Sequence, residues 1–344
     1  MNRPTIASLA REAGVSVSTV NRILGGGAPV RAATIQRVHL AAERIDYIGT
    51  GSIAYRLRKA VPQFKFGFLL QQSNRDLYQL LGKKIVEACH GRQDEVVEPV
   101  VEFADHLAPE HIAARLLCLG GICDAVALIV PDHPLISQAI RSLRASGKPV
   151  VSYITDLSAP ERAAYVGTDN WKLGRTAGYL ITQTVQVAGK VGVLIGSSRY
   201  QCQDVADAGF RSYIQEHAPL LVVEDSLLTH EEAGMAFKTV KTLIETTADL
   251  VGLLVIGGGI SGVLQALRQV PPARRGQIRL ICRDVGPAVR KGLAEGLITA
   301  ALCHPVGVMS TQLVQTMIEV ASQAGATGFM QKIVAFEIVT PENG

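Results

Sequence analysis

The sequence predicts an α/β chain: a three-helix head with a helix-turn-helix, then two doubly wound parallel lobes. Three observations carry this reading. The first sixty residues show helical periodicity broken by a glycine turn, and they concentrate the positive charge. Beyond residue 62, apolar runs of strand length alternate with amphipathic helical segments, the pattern of a parallel sheet covered on both faces. The alternation restarts near Ala164–Asp169, which gives two series of similar length and a cleft between two lobes.

In the head, Ile6, Leu9, Ala10 and Ala13 form an apolar helical stripe with Thr5 placed to cap it. Gly14 supplies the permissive backbone of a tight turn and Val15 an apolar plug for the corner. Ser16 is placed to cap a second helix that turns Val20, Ile23 and Leu24 back onto the first. GGGAP at 25–29 reads as a loop, and Ile35, Val38, Ala41, Ala42 and Ile45 line the buried side of a third helix.

Charge supports a polyanion partner for this end. Residues 1–62 hold nine Arg or Lys against Glu12, Glu43 and Asp46, a net +6 in a chain of net +4. A second helix that enters a major groove by its N-terminus would bring Val17, Ser18 and Arg22 to base edges. Arg22 suits guanine, Val17 a thymine methyl, and Ser18 is nearly indifferent to the base. Thr5, Ser16, Thr19, Asn21 and Arg31 suit phosphates, which position without reading sequence.

The stretch T-x-x-x-x-A-x-x-A-G-V-S-x-x-T-V-x-R-x-L, followed by a helix ending in DYI, resembles the DNA-binding head of the lactose-repressor (LacI) family over residues 5–48. The resemblance implies a hinge helix in SIAYRLRKA (52–60), with Ala54 and Leu57 at the positions that meet the minor groove and Leu57 as an intercalating wedge. It also implies a pseudo-palindromic operator and a homodimer or tetramer. Gly49 and Thr50 depart from the usual Pro-Asn, Arg31 from a capping Ser, and Asn21 from a Ser.

After the head, KFGFLL, VEPVVEF, DAVALIV and KPVVSYI read as the strands of one series. KVGVLIG, LLVVEDSLL, LVGLLVIG and QIRLIC read as those of the other. The order resembles the family's effector domain, similar to ribose-type periplasmic sugar-binding proteins, that is, the periplasmic-binding-protein type I fold. The likeness is clearest at 130–134, 165–180, the SSRYQ and AGFRSYI segments, and RDVGP with EGLITAAL. The expected organisation is a head at 1–50, a hinge at 51–62 and an effector and dimerisation domain at 63–344. Within that domain, lobe 1 takes about 63–166 with 299–325, and lobe 2 about 167–298 with 326–344.

Strand ends are where such sheets hold ligands. Asn74, Asp76, Asp132, Asp156, Asp169, Asn170 and Asp284 stand there, and their carboxylates and amides suit a sugar, polyol or sugar acid. Helix capping is the competing role for each. The resemblance tilts Asp156 and Asp284 toward the effector. Tyr200 or Trp171 would offer a sugar ring an apolar face. At the position where the family commonly carries an Arg, four residues before the aromatic Phe210, this chain has Ala206. Arg283, His304 and Ile260 are further departures. Arg283 is read either as a relocated fork for an anionic effector or as a rim residue, with a neutral sugar the default.

GGGISG at 257–262 matches G-x-G-x-x-G after a strand, with Asp284 following at a ribose-binding distance. A dinucleotide fingerprint normally opens its domain, and this one lies late in the second series. The glycines are therefore expected to admit an effector and to seat a helix on the sheet. An NAD- or nucleotide-sensing regulator, or an NAD-dependent enzyme using Gly257–Gly262, is the alternative. No G-x-S-x-G or H-E-x-x-H motif is present and the eight His are dispersed, so no enzyme chemistry, cofactor or metal is expected. The six Cys read as reduced core thiols of a cytoplasmic protein. The N-terminus lacks the apolar region of a secretory signal, and no apolar run has membrane-spanning length. The reading is a metabolite-controlled repressor.

Overall fold

A computed structural model describes residues 3–26, 30–284, 286–323 and 328–344, with Arg58 known by its backbone alone; most of the expected 25–29 loop lies outside the described residues. The chain divides into two compact units, residues 1–64 with 89–98, and residues 65–88 with 99–344.

The first unit carries α1 (Ile6–Glu12), α2 (Val17–Gly25), α3 (Ala32–Arg44) and α4 (Thr50–Ala60). Thr5 accepts from the Ser8 amide while the Ser8 side chain returns to the Thr5 amide, so α1 starts on a reciprocal cap. Ser16 caps α2 by accepting from the Thr19 amide. Leu9, Ala10 and Ala13 pack with Val20 and Ile23 and with Ile35, Val38, Ala41 and Ala42, as the stripes predict. The same cluster takes Ile53 of α4, fully buried, with Leu57 packed against it. The linker helix is thus a fourth member of the head's core in this structure.

The second unit holds two sheets. Along the chain come β1 (Gln63–Gln71), α5 (Asp76–His90), β2 (Val96–Ala104), α6 (Pro109–Ile122), β3 (Ala125–Leu128), α7 (Pro134–Ala145), β4 (Val150–Tyr153) and β5 (Ala164–Thr168). Next are α8 (Asn170–Thr184), β6 (Gly189–Ile195), α9 (Gln201–His217), β7 (Leu221–Val223), β8 (Leu227–Leu228) and α10 (Ala233–Thr246). Then follow β9 (Leu250–Val255), α11 (Ile260–Arg268), α12 (Pro272–Arg275), β10 (Arg279–Arg283), α13 (Pro287–Ala294) and β11 (Ala300–Cys303). The chain ends with α14 (Val306–Ser322), β12 (Met330–Val334) and β13 (Glu337–Val339).

The first sheet runs β12-β5-β4-β3-β1-β2 and the second β13-β11-β10-β9-β6-β7, with β8 on β6. Central pairings are parallel, and β13 lies antiparallel on β11. β9 is buried along its whole length, as a strand covered on both faces must be.

Strand pairing moves two of the expected lobe boundaries. Of the 299–325 segment expected in the first lobe, α14 packs there against β3, β5 and β12, but β11 pairs with β10 in the second sheet. Of the 326–344 segment expected in the second lobe, β13 pairs with β11 there, but β12 pairs with β5 in the first sheet. The chain therefore crosses between lobes after Thr168, after Cys303 and after Val334. A strand shows its apolar character locally, but its choice of sheet is set by partners distant in sequence.

Candidate nucleic-acid interface and ligand cleft

On the head, Val17, Ser18, Asn21 and Arg22 stand exposed along α2, with Thr5, Ser16 and Arg31 exposed nearby. The hydroxyl of Ser16 meets those of Ser18 and Thr19, each at 2.9 Å. Arg22 donates from Nη2 to Thr19 Oγ1 at 3.4 Å, which holds the guanidinium along the helix. Arg31 precedes α3 without a side-chain cap bond. A capped helix thus presents one cation, one methyl-bearing side chain and small hydroxyls on a single exposed face.

Between the two sheets lies a cavity of about 550 Å³. Its walls include Asn74, Arg75 and Asp76 after β1, Tyr200 and Gln203 at the start of α9, Glu231, and the Gly257–Ser261 turn. Arg283, Asp284 and His304 complete it from the ends of β10 and β11. Three wall residues, Ile154, Glu231 and Asp284, have φ of 65°, 62° and 64°. A left-handed backbone at a non-glycine residue costs about 1–3 kcal/mol, and here it aims side chains that ordinary backbone would turn away.

Two polar clusters dominate the walls. In the first, the Glu231 carboxylate accepts from Arg75 Nη1 at 2.5 Å, Gln203 Nε2 at 2.8 Å and the Gly258 amide at 2.9 Å. Arg75 comes from the first lobe and Glu231 from the second, so this part-buried pair ties the lobes. Tyr200 Oη donating to Gln71 Oε1 at 3.0 Å is another tie.

In the second cluster, Asp284 Oδ1 meets His304 Nδ1 at 2.6 Å and accepts from the His304 amide at 3.1 Å. His304 Nε2 meets Arg283 Nη2 at 2.6 Å. A guanidinium only donates and a carboxylate only accepts, so this network assigns a neutral ring with its proton on Nδ1. Burial pushes the Asp284 carboxyl up, but His304 and Arg283 outweigh it and hold the pKa at about 2. Burial, reinforced by Arg283, lowers His304 against the pull of Asp284.

Residues 5–49 match the model of the lacI family of bacterial regulatory proteins, and residues 66–325 that of a periplasmic binding protein domain. The chain belongs to the lacI family. It is a DNA-binding regulator, with the head at residues 5–49 as its DNA-binding domain. Among solved structures it resembles an ABC transporter solute binding protein from Agrobacterium vitis with bound D-fucose: TM-score 0.71, 19% identity, covering 81% of this chain and 96% of that one. It also resembles GanP, a glucose-galactose binding protein from Geobacillus stearothermophilus, with TM-score 0.71, 18% identity and coverage of 81% and 98%. A Burkholderia graminis solute binding protein in complex with D-arabinose gives TM-score 0.71, 18% identity and coverage of 81% and 96%. At such identities the likeness is one of fold. Comparison with curated proteins finds no match.

In this lacI-family regulator, Asn74, Asp76, Tyr200, Arg283, Asp284 and His304 line the cavity together. The other candidates stand elsewhere. Asp156, expected at the effector, is held by Arg162 through Nε at 2.7 Å and Nη2 at 2.8 Å, with Ser152 Oγ and the Leu157 amide on the same carboxylate. Asp169 caps α8 by accepting from the Lys172 amide. Asn170 lies behind the wall, its Oδ1 accepting from Arg283 Nη2. Asp132 borders an adjacent hollow of about 390 Å³ and accepts from the Ser158 amide. Trp171 is 44% exposed outside the cavity. Arg283 is 8% exposed, which removes the rim reading.

Ala206 is fully buried against α8, while Gln203, a turn earlier on α9, reaches the cavity. The sequence reading missed Arg75, Gln203 and Glu231. Arg75 and Glu231 lie 156 residues apart, and only the fold brings them together.

The glycine turn lines the cavity, and its glycines also make close approaches within the chain. A Cβ at Gly258 would lie 2.2 Å from Glu231 Oε2, so this glycine admits a carboxylate of the chain itself. A Cβ at Gly262 would lie 1.8 Å from the Ala233 carbonyl oxygen, so this glycine lets α11 sit close on α10, while Val263, Leu264 and Leu267 pack with β9 and β10. A dinucleotide pyrophosphate at this helix start would meet the Glu231 carboxylate on the Gly258 amide, an arrangement of like charges.

Proposed function

We propose that this regulator is a homodimeric repressor whose operator affinity is set by a small polyhydroxylated metabolite bound in the cleft. The observation that carries the reading is the joining, on one chain, of a base-facing α2 with a polar cavity between two parallel lobes. The sugar-binding character of the similar solved structures supports the carbohydrate class. The wall carries both donors and acceptors: Asn74 can give or take a hydroxyl hydrogen bond, Arg283 can give one and Asp284 can take one.

Two heads related by a two-fold axis would read the two halves of a pseudo-palindrome, with Arg22 and Val17 at base edges and the remaining head candidates on phosphates. Leu57 and Ala54 would meet the minor groove at its centre. Because Leu57 packs on the head cluster here, its insertion would exchange that packing for base-step contact. Effector and operator must alter each other's affinity by the same factor.

The test is selection of bound sequences from random duplex DNA, followed by titration of the selected operator with and without sugars and polyols. A two-fold symmetric selected site whose affinity changes with a metabolite is the expected result. An asymmetric or absent site would remove the dimeric operator reading, and a metabolite-independent affinity would remove the sensing role.

A further inference from the structure

Arg283 is a buried cation whose direct hydrogen-bond partners are all neutral. Its Nη2 donates to Thr168 Oγ1 at 3.2 Å and Asn170 Oδ1 at 3.0 Å, and meets the neutral His304 ring at 2.6 Å. Its Nε and Nη1 are buried and have no partner among the described residues. Asp284 Oδ1 is committed to the ring and the amide of His304, so this carboxylate acts on Arg283 as a nearby charge and not as a hydrogen-bond partner. Burial raises the pKa of the nearby Cys202 thiol, so that group supplies no negative charge either. The second cleft arginine is unlike it, since Arg75 is paired directly with Glu231.

A guanidinium taken out of water is strongly disfavoured unless an anion and a full set of acceptors replace the water. On the cavity wall Arg283 has two donors unmet, and Gln72 Oε1, of the same wall, is another buried polar atom without a partner among the described residues. We propose that the cleft ligand is anionic: a carboxylate or phosphate on a polyhydroxylated carbon frame, paired with the Arg283 guanidinium of the cavity wall. A ligand hydroxyl donates to Gln72 Oε1. The charge-assisted bonds make the anionic group the anchor and the hydroxyls the secondary readers. This rests on the cleft being the regulator's effector site, as proposed above.

The experiment uses the full-length protein and matched probes: D-glucose, D-gluconate, D-glucuronate and D-glucose 6-phosphate, with the corresponding D-galactose series. Sodium acetate and inorganic phosphate control for simple anion effects. Thermal midpoints are followed against ligand concentration for the wild type, Arg283→Met and Arg283→Lys. At least one acid or phosphate is expected to half-saturate the wild type at a concentration tenfold or more below its neutral counterpart. The carboxylate and phosphate arms separate the two sources of charge.

Arg283→Met is expected to lose that preference and, without ligand, to melt no lower than the wild type, because it removes a poorly compensated charge. Arg283→Lys keeps the charge but not the fork, and is expected to retain the preference for the acid with binding at least tenfold weaker. It carries the test if Arg283→Met fails to fold. A neutral sugar binding as tightly as its acid overturns the proposal; if that sugar also changes operator affinity, the regulator reading survives. An unaltered acid response in Arg283→Met overturns it too, as does the absence of any shift across all arms. Operator binding, measured on the same wild-type sample, decides the regulator reading separately.

Discussion

Glu231 shows how much of the cleft rests on single residues. Its φ of 62° is unfavourable, yet its carboxylate collects three donors from separate elements. Glu231→Ala leaves Arg75 without its counter-ion, and such breaks cost on the order of 3 kcal/mol; urea unfolding should show a loss of that size. His304 gives a residue-scale prediction in pH. Its folded pKa lies below the ordinary 6.5, and that of Asp284 lies near 2, below the ordinary 3.8. In acid the unfolded chain therefore binds more protons than the folded one. The stabilising contribution is fully present above pH 6.5 and declines as pH falls through 6.5, then through the carboxylate range toward 2. Urea midpoints from pH 4.5 to 8 should slope downward toward acid in the wild type and less steeply in His304→Gln. At the DNA end, Arg22→Ala should lose about 1–3 kcal/mol of discrimination at one base pair per half-site. An unchanged selected motif would remove Arg22 as the reader.

At the scale of elements, helix contact explains Gly262, the last glycine of the G-x-G-x-x-G pattern. Gly262 touches the α10 backbone, so even Gly262→Ala drives a methyl into the Ala233 carbonyl. Overpacking of this kind costs about 1–3 kcal/mol, and the thermal midpoint should fall without any metabolite present. The fourth head helix carries a second prediction. Ile53 is fully buried in the head cluster, so Ile53→Ala should cost about 2–4 kcal/mol, read as earlier unfolding of the head by amide exchange. Leu57→Ala is expected to weaken operator binding and reduce bending; persistence of both would rule out the wedge. The head was legible because each helix carries its own stripe and cap within a few residues. Ile53 was not, because SIAYRLRKA looks like a linker until α3 and α2 are placed beside it.

Across the whole molecule, the regulator's fold class followed from the alternation of strand and helix patterns and from their restart near Asp169. The lobe boundaries did not follow, since β11 and β12 each join the sheet opposite to the one chain order suggests. Candidate site residues divided in the same way. Asn74, Asp76, Tyr200, Arg283, Asp284 and His304 converge on one cavity, whereas Asp156 and Asp169 are taken by Arg162 and by the start of α8.

The sequence by itself determined the helix-turn-helix, the basic head, the two parallel lobes and the strand-end placement of polar residues. Those properties depend on periodicity, capping and charge over short stretches of chain. The tertiary structure decided which carboxylates face the cavity and which find an internal partner, that Arg75 meets Glu231, and that Arg283 is buried rather than on the rim. Each of these depends on desolvation and pairing between residues far apart in the chain, which no local pattern encodes.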